Sequence, residues 1–352
     1  MINDKNLTQE SGDNSNNYQA HAITIVNGLT YSDAKDIALN VYKDNFVQLS
    51  KDAAQLAADR ATKITEDFLK ELQKEKEEAI QAMKNPSMQM ALFNAQKSYA
   101  STGDDDLEQV LVDLLVDRAL EEVRTLKQIT LDESIQVASK LTFEQMDALS
   151  LNFLLSQTTQ QNMNSREMMK NYINERIIPL TEKIAFESST YEHLEYVGCG
   201  SIMEASQIYS IEKLFKIQYA GLFSKGGTED DYKELLNSGN SAHKILMRCL
   251  NNNNLIQISA INEEVINRLA IEHSISPDLV AKAKTLFNEH AMSESEIKSD
   301  ILAMCPKIDK LFELWDKTKI SKFTLTTVGI AIARANLKKR VNMDLDLGVW
   351  VR

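Results

Sequence analysis

Between residues 22 and 33 the chain reads Ala22-Ile23-Thr24-Ile25-Val26-Asn27-Gly28-Leu29-Thr30-Tyr31-Ser32-Asp33. The β-branched residues up to Val26 predict a short β-strand, which Asn27-Gly28 ends in a turn. Thr30 and Ser32 are candidate N-caps of a helix that follows. A lone strand leaves its backbone donors and acceptors unpaired, so it requires a partner edge in the same chain or in another copy. The stretch therefore predicts a strand that must pair, followed by a helical protein.

Residues 1–28 are predicted to be an assembly segment. An Asn-rich polar run precedes the strand, and Asn and Gln side chains can form ladders between identical chains stacked in register. We expect homo-oligomerisation through this segment and the helix after it, with the contacts made by Asn14, Asn16, Asn17, Gln19, Ile23, Ile25, Val26, Phe46 and Phe68. The alternative is a tail whose short strand docks on the body of its own chain.

Residues 29–85 are predicted to hold one very long helix, because no Pro or Gly interrupts the stretch from Tyr31 to Met83. About 50 helical residues span roughly 75 Å. Phe46, Ala57, Phe68 and Ala79 are eleven residues apart, which predicts a nearly straight apolar stripe. Two interpretations remain open: the helix lies across a large helical body, or it forms a self-associating coiled-coil stalk.

The composition predicts a mainly α-helical chain, since 352 residues include only 4 Pro and 11 Gly. The net charge of -12 disfavours general nucleic-acid binding, because phosphate backbones repel an acidic surface. A basic patch at Lys338-Lys339-Arg340, with Arg334 one turn earlier, is interpreted as complementing a helix C-terminus. Three widely spaced cysteines, no apparent signal peptide and no membrane-length apolar run favour a reduced, soluble, cytoplasmic protein without membrane association.

The remaining chain divides into three predicted segments. Residues 86–187 and 188–318 form helical domains, and residues 319–352 form a strand-helix-strand tail with its last strand at about 344–351. Pro179 should kink the helix that contains it. The fold class is therefore mainly α: a multi-helix body with a very long N-terminal helix and short terminal β-strands.

The motifs that usually identify an enzyme are absent from the sequence, and we predict no metal and no cofactor. Asp104-Asp105-Asp106 is interpreted as a helix cap. The one candidate nucleophile is Cys199, between two glycines and ahead of a predicted helix whose N-terminus would lower the thiol pKa. His193 is close enough in sequence to act as its base. A buried structural cysteine in a tight turn is the alternative.

The chain resembles an uncharacterised family of bacterial proteins along nearly its whole length. The residues that support this are Gly12-Asp13-Asn14-Ser15 with Gln19-Ala20, Gly198-Cys199-Gly200, Gly221-Leu222-Phe223-Ser224-Lys225-Gly226, and Leu325-Thr326-Thr327-Val328-Gly329-Ile330-Ala331-Ile332-Ala333-Arg334-Ala335-Asn336. The Leu-Thr-x-x-Gly tail is also similar to the end of abortive-infection alpha proteins, which are bacterial phage-exclusion factors. That similarity implies a place in phage defence.

Three classes of function remain from the sequence. The first is a non-enzymatic, self-assembling interaction or sensor protein that responds to a protein trigger or a ligand. The second is an enzyme with an unrecognised site at Cys199. The third is an effector that associates with membranes after assembly, which the acidic balance weakens. The absence of catalytic motifs favours the first class.

Overall fold

A computed structural model describes residues 29–45, 51–203, 209–238 and 241–352. The chain is mainly α-helical with a few short strands, as its composition predicts. The α-helices are α1 Tyr31–Asn45, α2 Lys51–Glu75, α3 Pro86–Thr102, α4 Asp105–Leu120, α5 Leu126–Ala138, α6 Phe143–Gln157, α7 Arg166–Tyr172, α8 Ile178–Thr181, α9 Ser188–Tyr196, α10 Ile211–Tyr219, α11 Lys233–Leu236, α12 Glu263–Glu272, α13 Pro277–Glu289, α14 Glu294–Met304, α15 Asp309–Lys317 and α16 Thr327–Val341.

Short helical turns of other kinds and four strands complete the described elements. The 3-10 helices are Glu77–Lys84, Ala220–Phe223, Ser241–Ile245, Pro306–Ile308, Ile320–Lys322 and Leu347–Val349, and Ile173–Ile177 is a π-helix between α7 and α8. The strands are β1 Gly200–Ile202, β2 Leu246–Arg248, β3 Ile256–Ile258 and β4 Phe323–Leu325.

The region from Tyr31 to Met83 differs from the single very long helix that its sequence predicts. α1 and α2 lie side by side and antiparallel, since the Tyr42 hydroxyl donates to the Ala57 carbonyl at 3.3 Å and Lys35 pairs with Glu66 at 2.6 Å. α2 ends at Glu75, and a 3-10 helix follows. The antiparallel arrangement buries the apolar faces of both helices in one core, which an extended stalk would leave in water.

The main hydrophobic core extends from Ala34 to Val351, and α16 lies at its centre against α4, α5 and α6. Every side chain of α16 from Ile330 to Leu337 is buried. A helix that is buried on all sides must carry apolar side chains or polar side chains that have partners within the protein, and α16 carries both kinds. Its N-cap is Thr326, whose side chain accepts from the Gly329 amide at 3.2 Å.

The strands form two separate antiparallel pairs. β1 pairs with β4, with Gly200 opposite Leu325, and β2 pairs with β3 in a hairpin. The predicted C-terminal strand at 344–351 is wrong, because Leu347–Val349 is a 3-10 helix. Leu347 and Val351 are buried while Val349 is 58% exposed, which is the spacing of a helical turn rather than of a strand. The predicted strand at residues 20–27 lies outside the described residues.

A second, smaller hydrophobic cluster lies within the predicted segment 188–318. It contains side chains from Tyr232 to Phe287, contributed by α11, α12, α13 and the β2–β3 hairpin. The rest of that segment packs into the main core, including Leu222 and Phe223 of the glycine-containing loop. Gly221, Leu222, Phe223 and Ser224 of this loop are buried, and Lys225 is exposed.

Candidate functional site

The candidate nucleophile Cys199 is a buried thiol. Its exposed fraction is 0%, and burial raises its pKa to about 12, opposite to the lowering that a helix N-terminus would produce. The element that follows Cys199 is strand β1, where the sequence predicts a helix. His193 Nδ1 lies 3.0 Å from the side-chain nitrogen of Gln145, so this ring nitrogen already has a hydrogen-bond partner. At neutral pH the thiol is therefore protonated and shielded from solvent.

The turn formed by Gly198, Cys199 and Gly200 is hydrogen-bonded to the start of α16. The Thr326 hydroxyl donates to the Gly198 carbonyl at 2.7 Å, and the Thr326 amide donates to the Cys199 carbonyl at 3.0 Å. Gly198 has a φ of 85°, a conformation that favours glycine. Residues 198–200 are therefore in direct contact with the start of the segment 325–336.

The basic residues near the end of α16 are all paired with carboxylates. Lys338 binds Asp113 at 2.8 Å, Lys339 binds Asp106 at 2.6 Å and Arg340 binds Asp147 at 3.1 Å. These partners lie on α4, at its start, and on α6, so the charges hold α16 in place between its neighbours. The patch that the sequence shows as a basic run is therefore neutralised within the fold.

Arg334 is the most buried of these cations, with a side chain that is 4% exposed. It pairs with Asp113 and lies 2.7 Å from Asp117 Oδ2. Burial raises the pKa of Asp117 to about 6, although the neighbouring Arg334 opposes that rise. Two carboxylates share one buried guanidinium, so Asp117 is the less well compensated charge of the group.

A mixed-charge groove of about 370 Å³ lies between α2, α4 and α16. Lys63 pairs with two of its carboxylates, at 3.3 Å from Glu108 and 3.7 Å from Asp67, and also lies 3.2 Å from Asp105. Burial raises the pKa of Glu108, and the Lys63 ammonium opposes that rise. Because these charges already pair with one another, the groove is held together by them and is not an open anion or cation site.

A group of exposed apolar side chains lies where α4 joins α5. The exposed fractions are 38% for Leu120, 69% for Val123, 53% for Leu126 and 40% for Ile129. We call these four residues the apolar corner. They recur every three residues, a spacing visible in the sequence, but their exposure depends on which faces of α4 and α5 the core covers. Sequence reasoning had not identified them.

A second groove, of about 660 Å³, lies beside the apolar corner and shares Leu120 with it. We call it the Gln81 groove; its apolar lining is Ala79, Ala82, Pro86, Met88, Ala119 and Leu120. The Gln81 side chain makes two hydrogen bonds to the backbone of Leu29: Nε2 donates to the Leu29 carbonyl, and Oε1 accepts from the Leu29 amide, both at 3.0 Å. The described chain thus begins at this groove.

Of the predicted assembly residues, the structure describes only Phe68. Its side chain is fully buried in the main core of its own chain, beside Ile64 and Leu72. The others lie outside the described residues, and they are Asn14, Asn16, Asn17, Gln19, Ile23, Ile25, Val26 and Phe46. The predicted contact surface of the N-terminal segment thus stays a prediction.

Within the described ranges, no three His, Cys, Asp or Glu side chains are grouped so that they could hold a metal ion. The helices of the same ranges include none with the length and apolar character required to cross a bilayer. A family model of uncharacterised proteins matches residues 28–351. No curated protein and no solved structure matches the chain.

Proposed function

The chain belongs to the uncharacterised family whose model spans residues 28–351, and from this premise we propose that it is a non-enzymatic interaction protein that self-assembles. The proposed biological setting is bacterial phage defence, and the similarity of the Leu-Thr-x-x-Gly pattern at Leu325–Gly329 to the end of abortive-infection alpha proteins supports it. A protein trigger or a ligand would act on the assembled form.

The observation that carries the proposal is the apolar corner. Exposed apolar side chains that occur singly are normal, whereas a concentration of them marks an interaction surface. Four within ten residues, from Leu120 to Ile129, form such a concentration. Complete burial of a fully exposed Leu, Ile or Val side chain contributes about 1.5 to 3 kcal/mol, and a side chain that is 38 to 69% exposed contributes proportionately less. The corner can therefore supply a large part of the free energy of association between copies.

The enzyme alternative depends on Cys199 as its nucleophile, and this thiol lacks the properties of a nucleophile. A nucleophilic thiol needs access to the substrate and a pKa near or below neutrality. Cys199 is buried and its pKa is raised to about 12. The other ionisable groups described above serve as ion-pair partners between helices. These points support a protein that acts by contact.

Light scattering of purified protein across a micromolar concentration range tests the proposal. Val123→Asp would place a charge in the proposed contact, and an unpaired buried charge costs several kcal/mol. We expect association to weaken at least about 100-fold, which corresponds to ~3 kcal/mol. Ile271→Asp is the matched control, because Ile271 is 81% exposed on α12 and belongs to neither hydrophobic cluster. A wild-type protein that stays monomeric throughout would contradict constitutive self-assembly.

Phage infection of bacteria that produce the protein tests the setting. We expect wild-type protein to lower plaque counts and Val123→Asp to lose that effect while remaining at the wild-type level in the cell. Equal plaque counts with and without wild-type protein, over a panel of phages, would remove phage defence from the proposal and leave self-assembly to be judged by light scattering.

A further inference from the structure

The Gln81 groove combines an apolar lining with a side chain that recognises backbone. The paired hydrogen bonds between Gln81 and Leu29 use the donor and the acceptor of one residue, as a neighbouring β-strand would. The side chains of Ala79, Ala82 and Leu120 line the same groove, which has a volume of about 660 Å³ and is open to solvent. An extended peptide with apolar side chains is the kind of occupant that this combination fits.

Chain length places a suitable segment within reach. The 28 residues before Leu29 connect directly to the residue that Gln81 holds. An extended chain spans about 3.3 to 3.6 Å per residue, so Val26 is within roughly 11 Å of Leu29 and Ile23 within roughly 22 Å. No chain folding is needed to bring residues 23–26 to the groove.

The chemistry of that segment matches the groove. Residues 22–28 are Ala-Ile-Thr-Ile-Val-Asn-Gly and contain no charged side chain, so their docking would desolvate no charge. The groove lining also includes Lys76, Lys84, Glu121 and Glu122, so it carries charges of both signs and attracts neither sign strongly. The β-branched residues Ile23, Ile25 and Val26 favour the extended conformation that Gln81 already pairs with at Leu29.

We propose that the Gln81 groove is the docking site of residues Ile23–Val26 of this chain. The docked segment is the chain's own, because it extends directly from Leu29, the residue that Gln81 holds; this inference goes beyond the proposed function. Gln81 fixes the point from which the segment enters the groove, through its two hydrogen bonds to Leu29.

Disulfide trapping in the full-length protein tests the docking. The variant Ile25→Cys with Leu120→Cys places one thiol in the segment and one in the groove, while Cys199, Cys249 and Cys305 are buried and contribute little background. A docked pair has an effective concentration in the millimolar range, so we expect cross-linking under mild oxidation to be at least about tenfold faster than in the control. The control is Ile25→Cys with Ile271→Cys, since Ile271 is an exposed residue of α12 outside the groove.

A denaturing gel separates the outcomes. An internal link with loss of both free thiols supports the docking, and a linked band of twice the chain mass in its place overturns it. Equal rates in the variant and the control overturn the proposal. Far-ultraviolet circular dichroism shows that both variants keep their helices, and Gln81→Ala on the Ile25→Cys, Leu120→Cys background should slow the link. Failure of self-assembly is measured separately by light scattering, so an internal link in a monomer would retain the docking and reject the assembly.

Discussion

Gly329 faces the carbonyl oxygen of Cys199 so closely that a Cβ atom at position 329 would lie 2.0 Å from that oxygen. The same carbonyl accepts a hydrogen bond from the Thr326 amide at 3.0 Å. The start of α16 therefore rests directly on the backbone of the Gly198–Gly200 turn. A glycine is required at 329 because backbone, unlike the tip of a side chain, cannot move aside.

Gly329→Ala should destabilise the protein by about 1 to 3 kcal/mol, because overpacking against backbone outweighs the better helix propensity of Ala. Urea denaturation followed by circular dichroism measures the change. Gly348→Ala is the control, since the nearest atom to its added Cβ would be Asp346 Oδ1 at 3.2 Å. A Gly329→Ala protein as stable as wild type would show that α16 and the Gly198–Gly200 turn can move apart without loss of stability.

Asp117→Asn should change how stability depends on pH. The pKa of Asp117 is raised from 3.8 to about 6 in the folded protein, so its contribution to stability is fully present below pH 3.8 and is lost as pH rises through about 6. A shift of about two pKa units corresponds to ~3 kcal/mol. We expect wild type to lose up to that amount relative to Asp117→Asn between pH 4 and pH 7, measured by urea denaturation.

Asp105→Asn provides a control of opposite sign. Hydrogen bonds from Tyr99 and then from Lys63 lower the pKa of Asp105, so its contribution is present above pH 3.8 and is lost as pH falls through the lowered pKa. Wild type should therefore gain stability over Asp105→Asn as pH rises through the acid range. The same pH trend in both comparisons would contradict the assignment of Asp117 as a carboxyl destabilised by burial.

Native Cys199 should resist alkylation by iodoacetamide at pH 7.5, because the thiol is buried and its pKa is about 12. Mass spectrometry should find it unmodified in the folded protein and alkylated after unfolding in urea. Cys199→Ala should keep the assembly and the cellular effect, with a stability loss of about 1 kcal/mol. Rapid labelling of the folded protein, together with loss of activity in a well-folded Cys199→Ala variant, would restore the enzyme hypothesis.

Deletion of residues 1–28 should convert the assembled protein into smaller species while its helical circular dichroism remains. The described core extends from Ala34 to Val351 and does not include the deleted segment. Light scattering measures the size, and Val123→Asp offers an independent way to weaken the same assembly. If the truncated protein keeps the size of the full chain, the N-terminal segment has no part in assembly.

Local interactions made much of the helical architecture predictable from sequence. Pro86 begins α3 after Asn85, and the Asp104 side chain caps α4 by accepting from the amides of Asp106 and Leu107. Thr142 begins α6 with a reciprocal capping pair to Gln145. Each signal acts within three residues, so its outcome does not depend on the rest of the chain.

Alternation of apolar residues near the C-terminus predicted a strand, and the prediction failed for a tertiary reason. Leu347 and Val351 reach the core as part of a helical turn. Among the described residues no strand lies beside them that could pair with the backbone N–H and C=O groups of a strand at this position. The antiparallel packing of α1 on α2 likewise depends on contacts such as Lys35–Glu66, which the periodicity of either helix does not contain.

The sequence by itself determined the mainly helical class and the helix caps, because these follow from interactions between residues close in the chain. Only the tertiary structure decided that Cys199 is buried and that Arg334 is paired with carboxylates of α4 more than 200 positions away. It also decided that the four residues of the apolar corner remain exposed. Burial and charge pairing depend on which surfaces meet in space. That meeting is a property of the whole fold, since every core contact requires several elements to be in place at once.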